Sequence, residues 1–279
     1  MNSLVSQNMD AEIKIGESPI EKIEHFYAVS NRPEALFEFF SEVLGLPEIW
    51  PFTDYGGFSS GGLSVGNSVL EVVGDDTQSE DQSGVAYFNG IAFEPIDTAE
   101  STIGWLDKQG IDHSPAYPFK EVIDDKERTH WVTCDIDIPP KESRIFVCDY
   151  KNREAVEKGR NVARLKLLDS DKCPLGIQSL KEIVLTFRNL DQGIALWSNL
   201  LGSERRASRD KFSFTEGPDI NLVSSESDGI LEIVLEVRSL TEAKTVLQSK
   251  SILGTSTTDR LTISKAAIQG LNITLVEAL

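Results

Sequence analysis

Apolar and polar positions follow the same order in two parts of the chain. An apolar, strand-like run from His25 leads into an amphipathic segment that begins at Pro33 and stops at Gly45. The same order recurs from Glu182 to Gly202. Apolar residues at helical spacing followed by glycine are typical of a helix and its C-terminal end. The pattern therefore predicts a duplicated strand–helix unit.

The pattern restarts once more inside each half, so we predict four modules. Short apolar runs separated by turn-forming residues follow the predicted helices, which gives each module the order β-α-β-β-β. The predicted strands cover residues 23–29, 50–52, 57–65, 68–73, 86–95, 118–120, 130–138, 144–150, 182–188, 212–214, 220–223, 231–237, 261–263 and 271–276, and the predicted helices cover residues 33–44, 98–109, 191–201 and 241–250.

The modules set the predicted domain boundaries. Residues 1–20 are polar and unpatterned, which predicts a flexible tail. The first domain spans residues 21–150, a charged crossover linker spans 151–178, and the second domain spans 179–279. A length of 279 residues also favours two domains over one. The acidic run at residues 75–81 predicts a solvated loop.

Composition limits the partners and the compartment. With 27 basic against 45 acidic residues the net charge is −18, which repels phosphate backbones and anionic membranes, so we expect neither nucleic acid nor membrane as a partner. No stretch reaches the roughly 20 apolar residues of a membrane-spanning helix. The first residues lack the order of a signal peptide, so we expect a cytoplasmic protein. The 3 cysteines are expected to be reduced and structural.

Two polar residues stand out in apolar strands. His25 opens the first repeat, whereas Glu182 stands at the same place in the second half. Glu71 lies between Leu70 and Val72, where burial of a carboxylate is costly unless it is paired or bound to a metal. We expect both His25 and Glu71 to face a cavity. The alternatives are a hydrogen-bonded core histidine and a carboxylate on a solvated strand face.

Paired β-α-β-β-β units with His on the first strand and Glu on the last strand of one unit resemble the vicinal-oxygen-chelate superfamily, which includes glyoxalase, bleomycin-resistance and extradiol dioxygenase proteins. The segments that carry this resemblance are residues 23–29, 66–73 and 90–93. Residues 128–133, 145–151 and 174–178 are similar to the glyoxalase-like branch of the superfamily. The resemblance implies an α+β fold with four βαβββ modules paired into two glyoxalase-like domains, each a cupped mixed β-sheet flanked by helices.

The resemblance also implies a divalent ion of the Zn, Ni, Mn, Fe or Mg class, held by the first and last strands of each paired module. His25 and Glu71 match two ligand positions, Tyr150 stands where relatives have a terminal histidine, and Gly90 stands on the second module's first strand. The implied metal ligands are therefore His25, Glu71 and Tyr150, with Glu71 and Tyr150 as catalytic groups. Asp149 and His130 are the alternatives for the third ligand.

The remaining site predictions concern the cup wall and the second half. We expect five residues to line the substrate pocket: Trp50, Tyr55, Phe58, Trp131 and Asp149. In the second domain, Leu222 and Leu275 match Glu71. We therefore expect a degenerate second domain without a metal.

Two functions follow from the resemblance. The first is a divalent-metal-dependent lyase or isomerase that acts on a small oxygen-rich molecule in the cup of the first domain. The second is a metal-free small-molecule-binding or structural member of the same fold. Extradiol dioxygenase chemistry uses two histidines and one carboxylate as iron ligands. Gly90 occupies the place of the second histidine, so we do not expect that chemistry here. A small-molecule ligand is the expected partner, and a homodimer is left open.

Overall fold

The computed structural model describes residues 17–74, 84–123, 126–169 and 172–278. Most of the predicted tail and the acidic run at residues 75–81 lie outside the described residues. The tail prediction is wrong for its last three residues, because Ser18 and Ile20 are buried and the Ser18 hydroxyl donates to the carbonyl of Leu200 at 2.9 Å. This end of the chain is apolar enough to pack against the core.

The described residues form fifteen strands and five α-helices. The strands are β1 (Ile20–Ser30), β2 (Glu48–Asp54), β3 (Ser59–Ser64), β4 (Val69–Gly74), β5 (Ala86–Pro95), β6 (Tyr117–Ile123), β7 (Lys126–Ile136), β8 (Arg144–Tyr150), β9 (Ile177–Phe187), β10 (Lys211–Phe212), β11 (Asp219–Ser224), β12 (Gly229–Val237), β13 (Leu253–Ser256), β14 (Leu261–Ile263) and β15 (Ile273–Glu277). The helices are α1 (Pro33–Glu38), α2 (Ala99–Gln109), α3 (Arg153–Leu167), α4 (Leu190–Leu201) and α5 (Leu240–Ser249). A π-helical turn, Phe39–Val43, continues α1.

The strands form two mixed sheets. The first sheet has 8 strands in the order β2-β3-β4-β1-β5-β8-β7-β6, and the second has 7 strands in the order β10-β11-β9-β12-β15-β14-β13. In the first sheet β1 is antiparallel to β5 at the centre, while β4 and β8 run parallel to their neighbours β1 and β5. The second sheet repeats this arrangement around β9 and β12. The predicted α+β fold class is confirmed.

The third module differs from the other three. After α4 it has two strands, β10 and β11, where a β-α-β-β-β module would have three. A short 3₁₀ turn, Ser203–Arg205, and an isolated bridge between Arg206 and Phe212 occupy this part of the chain. The residues from Ser203 to Asp210 are mostly polar and charged, so they offer no alternating apolar face to pack on the core.

The predicted linker contains a helix. Asn152 caps the N-terminus of α3 by accepting a hydrogen bond from the backbone N–H of Ala155, and Ala163 and Leu167 are buried one turn apart. The charged residues that suggested a linker lie mainly on the exposed face of this helix. The segment predicted as a crossover linker, residues 151–178, therefore contains a helix of 15 residues, and its role as a linker stays a prediction.

The two sheets share one apolar core. The Phe93 ring of β5 contacts Trp197 of α4, with ring centroids 6.3 Å apart, and a single buried cluster runs through both halves. Asn67 forms two hydrogen bonds of 2.9 Å with the backbone of Leu180, which fixes the β3–β4 turn against β9. The division into separate domains stays a prediction. Within the described residues, no helix has the length and apolar character needed to cross a membrane.

Candidate functional site

The two faces of the first sheet have different roles. Side chains alternate along a strand, so Phe26 and Phe93 pack into the main core while their neighbours Tyr27 and Ala92 face the other way. Tyr27 and Ala92 belong to a second apolar cluster with Phe146 of β8. This second face of the sheet forms a cup.

The cup holds a cavity of about 510 Å³. Its lining contains seven of the residues named from the sequence: His25, Glu71, Tyr150, Trp50, Tyr55, Phe58 and Trp131. The other lining residues are Ser60, Tyr117, Pro118, Phe119, Thr133, Arg144, Phe146 and Cys148. The structure thus brings His25 and Glu71 together with the aromatic residues expected on the wall. What these residues do chemically stays a prediction.

Asp149 lies outside the cavity, so its prediction as a pocket residue is wrong. Alternation along β8 directs it to the opposite face from Tyr150, where its carboxylate accepts hydrogen bonds from Lys151 at 2.8 Å and Arg153 at 2.9 Å. Burial alone would raise the pKa of Asp149, but these two hydrogen bonds lower it below its usual value. Asp149 therefore anchors the start of α3 and is unsuited to be a third ligand in the cup.

His130, the other alternative third ligand, is also held elsewhere. Its Nε2 lies 3.1 Å from the Glu121 carboxylate on the β6–β7 hairpin, and its ring packs edge-on against Phe119. It does not line the cavity.

His25 lies between two carboxylates. Its Nε2 is 3.4 Å from Glu71 Oε2, and its Nδ1 contacts the carboxylate of Glu24, whose side chain is fully buried. The pairing of β1 with β5 shifts register between Ile23 and His25, which lets these adjacent residues approach each other. A carboxylate bound to one ring nitrogen fixes the orientation of an imidazole, so Glu24 aims Nε2 of His25 at Glu71.

Arg160 of α3 holds Glu24 from outside the sheet. Its guanidinium contacts the Glu24 carboxylate and also lies 2.9 Å from Glu157 and 3.5 Å from Glu94. Burial lowers the pKa of Arg160 to about 10, which leaves the group charged at neutral pH. Arg160 therefore neutralises the buried Glu24, and it shares Glu94 with Lys22, whose Nζ lies 3.6 Å from that carboxylate.

Sequence reasoning missed both Glu24 and Arg160. Glu24 precedes His25 in an apolar strand, where burial of a carboxylate is as costly as it is for Glu71, so the same signal was present. Arg160 gave no comparable signal, because its segment was interpreted as a linker and its contacts join residues far apart in the chain.

Glu71 has an unusual affinity for protons. Burial raises its pKa to about 7, although a hydrogen bond with Ser60 and the nearby charge of Arg144 act in the opposite direction. A carboxyl group with this pKa can gain or lose a proton near neutral pH.

Strand pairing shows which residues correspond between the two modules of the cup. In the first module Glu71 pairs with Tyr27, two residues after His25; in the second module Phe146 pairs with Ala92, two residues after Gly90. Gly90 and Phe146 therefore occupy the places of His25 and Glu71. Neither offers a metal ligand, and the assignment of Tyr150 to the last-strand ligand position is wrong because Tyr150 lies farther along β8 than Phe146.

Tyr150 lies at the end of the cup near α3. The Arg160 guanidinium is 5.7 Å from the centre of its ring, and the Trp131 ring is 6.0 Å away. Burial, with the nearby Cys148 and Glu71, raises the pKa of Tyr150 well above its usual value. Its hydroxyl is therefore protonated at neutral pH and is a hydrogen-bonding group.

The residues of the cup do not fit a metal site of the kind that the resemblance implies. His25 and Glu71 are suitable ligand types, but catalytic zinc and iron sites use at least three protein ligands. Across the parts of the chain that the structure describes, no group of three or more His, Cys, Asp or Glu side chains could hold a metal ion.

Arg144 brings a positive charge into the cup. Its guanidinium lies 4.3 Å from the centre of the Phe146 ring, Nε donates to Asp135 at 2.6 Å, and Nη2 donates to the Tyr117 hydroxyl at 3.0 Å. Arg144 pairs with Gly90 in the sheet, which places it beside the position that corresponds to His25 in the first module. Sequence reasoning missed this residue, because a lone arginine at the start of a strand gave no signal.

Two pairs of stacked aromatic rings form the walls. Phe119 and Trp131, on the β6–β7 hairpin, are parallel to within 4° at a centroid distance of 4.1 Å. Tyr55 and Phe58, between β2 and β3, stack at 5.1 Å and are 48% and 39% exposed. The cavity therefore has flat aromatic walls contributed by both modules.

The second sheet, which lies wholly within the described residues, has no pair that matches His25 and Glu71. The predicted equivalents of Glu71 in this sheet are wrong by one residue. Asn221 pairs with Val184 and Thr274 pairs with Val234, so these are the matching positions, while Leu222 and Leu275 lie in the core. The corresponding hydrogen bonds join Asn221 to Glu182 at 3.1 Å and Thr274 to Glu232, and Lys211 lies 3.0 Å from Glu182. The polar side chains of this sheet are paired with one another.

A second cavity of about 450 Å³ lies where the first sheet, α3 and β9 meet. Polar and charged side chains, among them Lys22, Arg160 and Ser179, make up most of its lining. It contains neither His25 nor Glu71, so we place the candidate site in the cup.

Comparison with known proteins establishes the fold of this chain and no more. No protein-family model matches the chain, and no curated protein sequence matches it. Solved structures do match. A hypothetical protein from Staphylococcus aureus is 11% identical with a TM-score of 0.60, over 92% of this chain and 99% of that one.

Enzymes are among the matching structures. The 2,3-dioxygenase LapB from Pseudomonas sp. KL28 is 13% identical with a TM-score of 0.59, over 94% of this chain and 93% of that one. The Mn(II)-bound glyoxalase from Novosphingobium aromaticivorans is 11% identical with a TM-score of 0.55, over 93% and 83%. At these identities the likeness establishes the fold and leaves the activity open. The chain has the fold shared by these glyoxalase and extradiol dioxygenase structures, the vicinal-oxygen-chelate fold, as the sequence resemblance implied.

Proposed function

We propose that the protein binds a small, flat, ring-containing molecule in the cup of the first sheet without a metal ion. The observation that carries this proposal is the combination of stacked aromatic walls, Phe119–Trp131 and Tyr55–Phe58, with a lining whose His25, Glu71 and Cys148 belong to no group of described residues that could hold a metal ion. Aromatic walls favour a flat ligand, because rings stack face to face or edge to face. A cavity of about 510 Å³ is of the size that holds such a ligand.

The test uses 2-naphthamide, a neutral flat probe, in buffer that contains a chelator. We expect it to quench tryptophan fluorescence and to raise the melting temperature of the wild-type protein. Trp131→Leu should weaken binding about tenfold, since stacking on an aromatic side chain contributes roughly 1 kcal/mol or more. Trp105→Leu, on α2 and outside the cup, is the matched control. Absence of binding by the wild type, both of this probe and of the carboxylate of the same shape, 2-naphthoate, would contradict the proposal.

A second candidate function is proton transfer by Glu71, as in a metal-independent isomerase or lyase. It is favoured by the pKa of Glu71, raised to about 7, and by His25 Nε2 at 3.4 Å from its carboxylate. A base with a pKa near the working pH removes and returns protons efficiently. The divalent-metal-dependent lyase that the resemblance implies would need ligands beyond His25 and Glu71.

Proton transfer can be measured with phenylpyruvate in D₂O. If Glu71 acts as the base, it takes a benzylic proton and returns a deuteron, so the benzylic NMR signal should decay faster with the protein than without it. Glu71→Gln should abolish the acceleration, while Glu34→Gln, an exposed residue on α1, should retain it. Equal decay with wild type and Glu71→Gln would rule out this role.

A further inference from the structure

Arg144 has hydrogen-bonding capacity that the fold does not use. A guanidinium carries five N–H donors. In the described residues two of its nitrogens have acceptors, Nε with Asp135 and Nη2 with the Tyr117 hydroxyl. The Nη1 donors of this cavity-lining residue therefore remain for a ligand.

The charge of Arg144 is presented to the cavity. Its ion-pair partner Asp135 is not among the cavity-lining residues, whereas Arg144 is. One face of the guanidinium lies over the Phe146 ring at 4.3 Å, a contact that limits its movement. Burial disfavours the charged form, but the hydrogen bond with Asp135, the charge of Asp135 and the nearby Tyr117 and Tyr27 together outweigh burial, and the pKa of Arg144 is raised. The cup thus contains a fixed, permanently charged cation.

We propose that Arg144 binds a carboxylate on the ring-bearing ligand, so that the cup selects aromatic carboxylates over neutral rings of the same shape. A guanidinium matches the two oxygens of a carboxylate, and such charge-assisted hydrogen bonds are stronger than neutral ones. Arg144 pairs with Gly90 and stands next to Phe146 along β8, the two positions where the second module offers no metal ligand. The Arg144 guanidinium thereby supplies positive charge beside two positions, Gly90 and Phe146, that cannot ligate a metal ion.

The inference rests on the proposed function and adds the ligand class. The ring would lie against the stacked walls, and quenching of Trp131 fluorescence would measure its binding. The carboxylate would lie at Arg144, on the β8 side of the cup.

The test compares two probes of nearly equal shape, 2-naphthoate and 2-naphthamide, on the full chain at pH 7.5. With the wild type, 2-naphthoate should bind about tenfold more tightly or better, the usual worth of a hydrogen bond to a charged group. Arg144→Met should remove this preference, so that the two probes bind this variant with nearly equal affinity. Arg144→Lys should retain only part of it, because an ammonium lacks the planar fork. Arg209→Met, an exposed arginine outside the cup, is the control.

Each result has a distinct meaning. Equal wild-type affinities for the two probes, or a preference that survives Arg144→Met, would overturn the role of Arg144 and leave the proposed function standing. Failure of both probes to bind the wild type would overturn the proposed function itself. If Arg144→Met does not fold, Arg144→Lys replaces it in the test, and a full wild-type preference in that variant would overturn the role of Arg144.

Discussion

The ring of Tyr27 fills the space in front of Gly90. The two residues are paired across β1 and β5, and a Cβ atom added at Gly90 would overlap the Tyr27 ring. Tyr27 is 8% exposed, and burial raises its pKa to about 12, so its hydroxyl stays protonated. The position that matches His25 in the second module is therefore closed by a side chain of the first.

A histidine at position 90 should not fit. We expect Gly90→His to destabilise the protein by about 1–3 kcal/mol through overpacking, and Tyr27→Ala to recover part of that loss when both changes are combined. Urea unfolding of the two single variants and the double variant measures the coupling. Strictly additive free energies would show that Tyr27 is not the obstacle.

The purified protein should contain no stoichiometric metal. His25 and Glu71 alone should bind Zn²⁺ or Mn²⁺ weakly, because stable sites use at least three protein ligands. Equilibrium dialysis followed by elemental analysis measures this, with His25→Ala as the comparison. One equivalent of metal in the wild type that is lost in His25→Ala would refute the metal-free proposal.

Glu71 should make stability depend on pH. Its pKa is about 7 in the folded protein against 4.5 as the ordinary value, so the folded state binds the extra proton between these pH values. Stability should therefore fall as the pH rises from about 4.5 to about 7, and Glu71→Gln should remove about 2–3 kcal/mol of that fall. Denaturant unfolding from pH 4.5 to 8 tests this, with Glu34→Gln as control. Parallel wild-type and Glu71→Gln curves would contradict it.

Arg160 should matter more for stability than its neighbour one turn on. Arg160→Met leaves the buried Glu24 carboxylate without its cation, which should cost about 3–5 kcal/mol, while Glu94 keeps Lys22 at 3.6 Å. Adding Glu24→Gln should recover part of the loss, since it removes one unpaired charge. Arg164→Met, an exposed arginine on the same helix, should change the free energy of unfolding by less than about 0.5 kcal/mol. Similar losses for Arg160→Met and Arg164→Met would exclude a special role for Arg160.

The sequence predicted local features well and features that depend on strand pairing less well. Glu71 could be assigned to the cup because a carboxylate in an apolar strand favours a cavity. Trp131 could be assigned to it because one of the two adjacent residues His130 and Trp131 must face away from the core of the sheet. Asp149, Leu222 and Leu275 were misplaced because a shift of one residue along a strand changes the face of the sheet.

Other parts of the site depend on contacts that local patterns do not contain. Phe146 could be recognised as the equivalent of Glu71 only from the pairing of β8 with β5. Glu24 and Arg160 meet across more than a hundred residues of chain, and the helix that brings Arg160 was hidden by its charged composition.

The contact between Arg160 and Glu24 also affects how this cup could be inherited. All the cavity-lining residues lie between His25 and Tyr150, yet the cation that neutralises the buried end of the cup comes from α3. A gene fragment that ends after β8 would encode every wall of the cavity and leave the buried Glu24 carboxylate without its cation. Recombination that moves this cup between proteins must therefore carry α3 with it, so the unit that can be exchanged is longer than a pair of β-α-β-β-β modules.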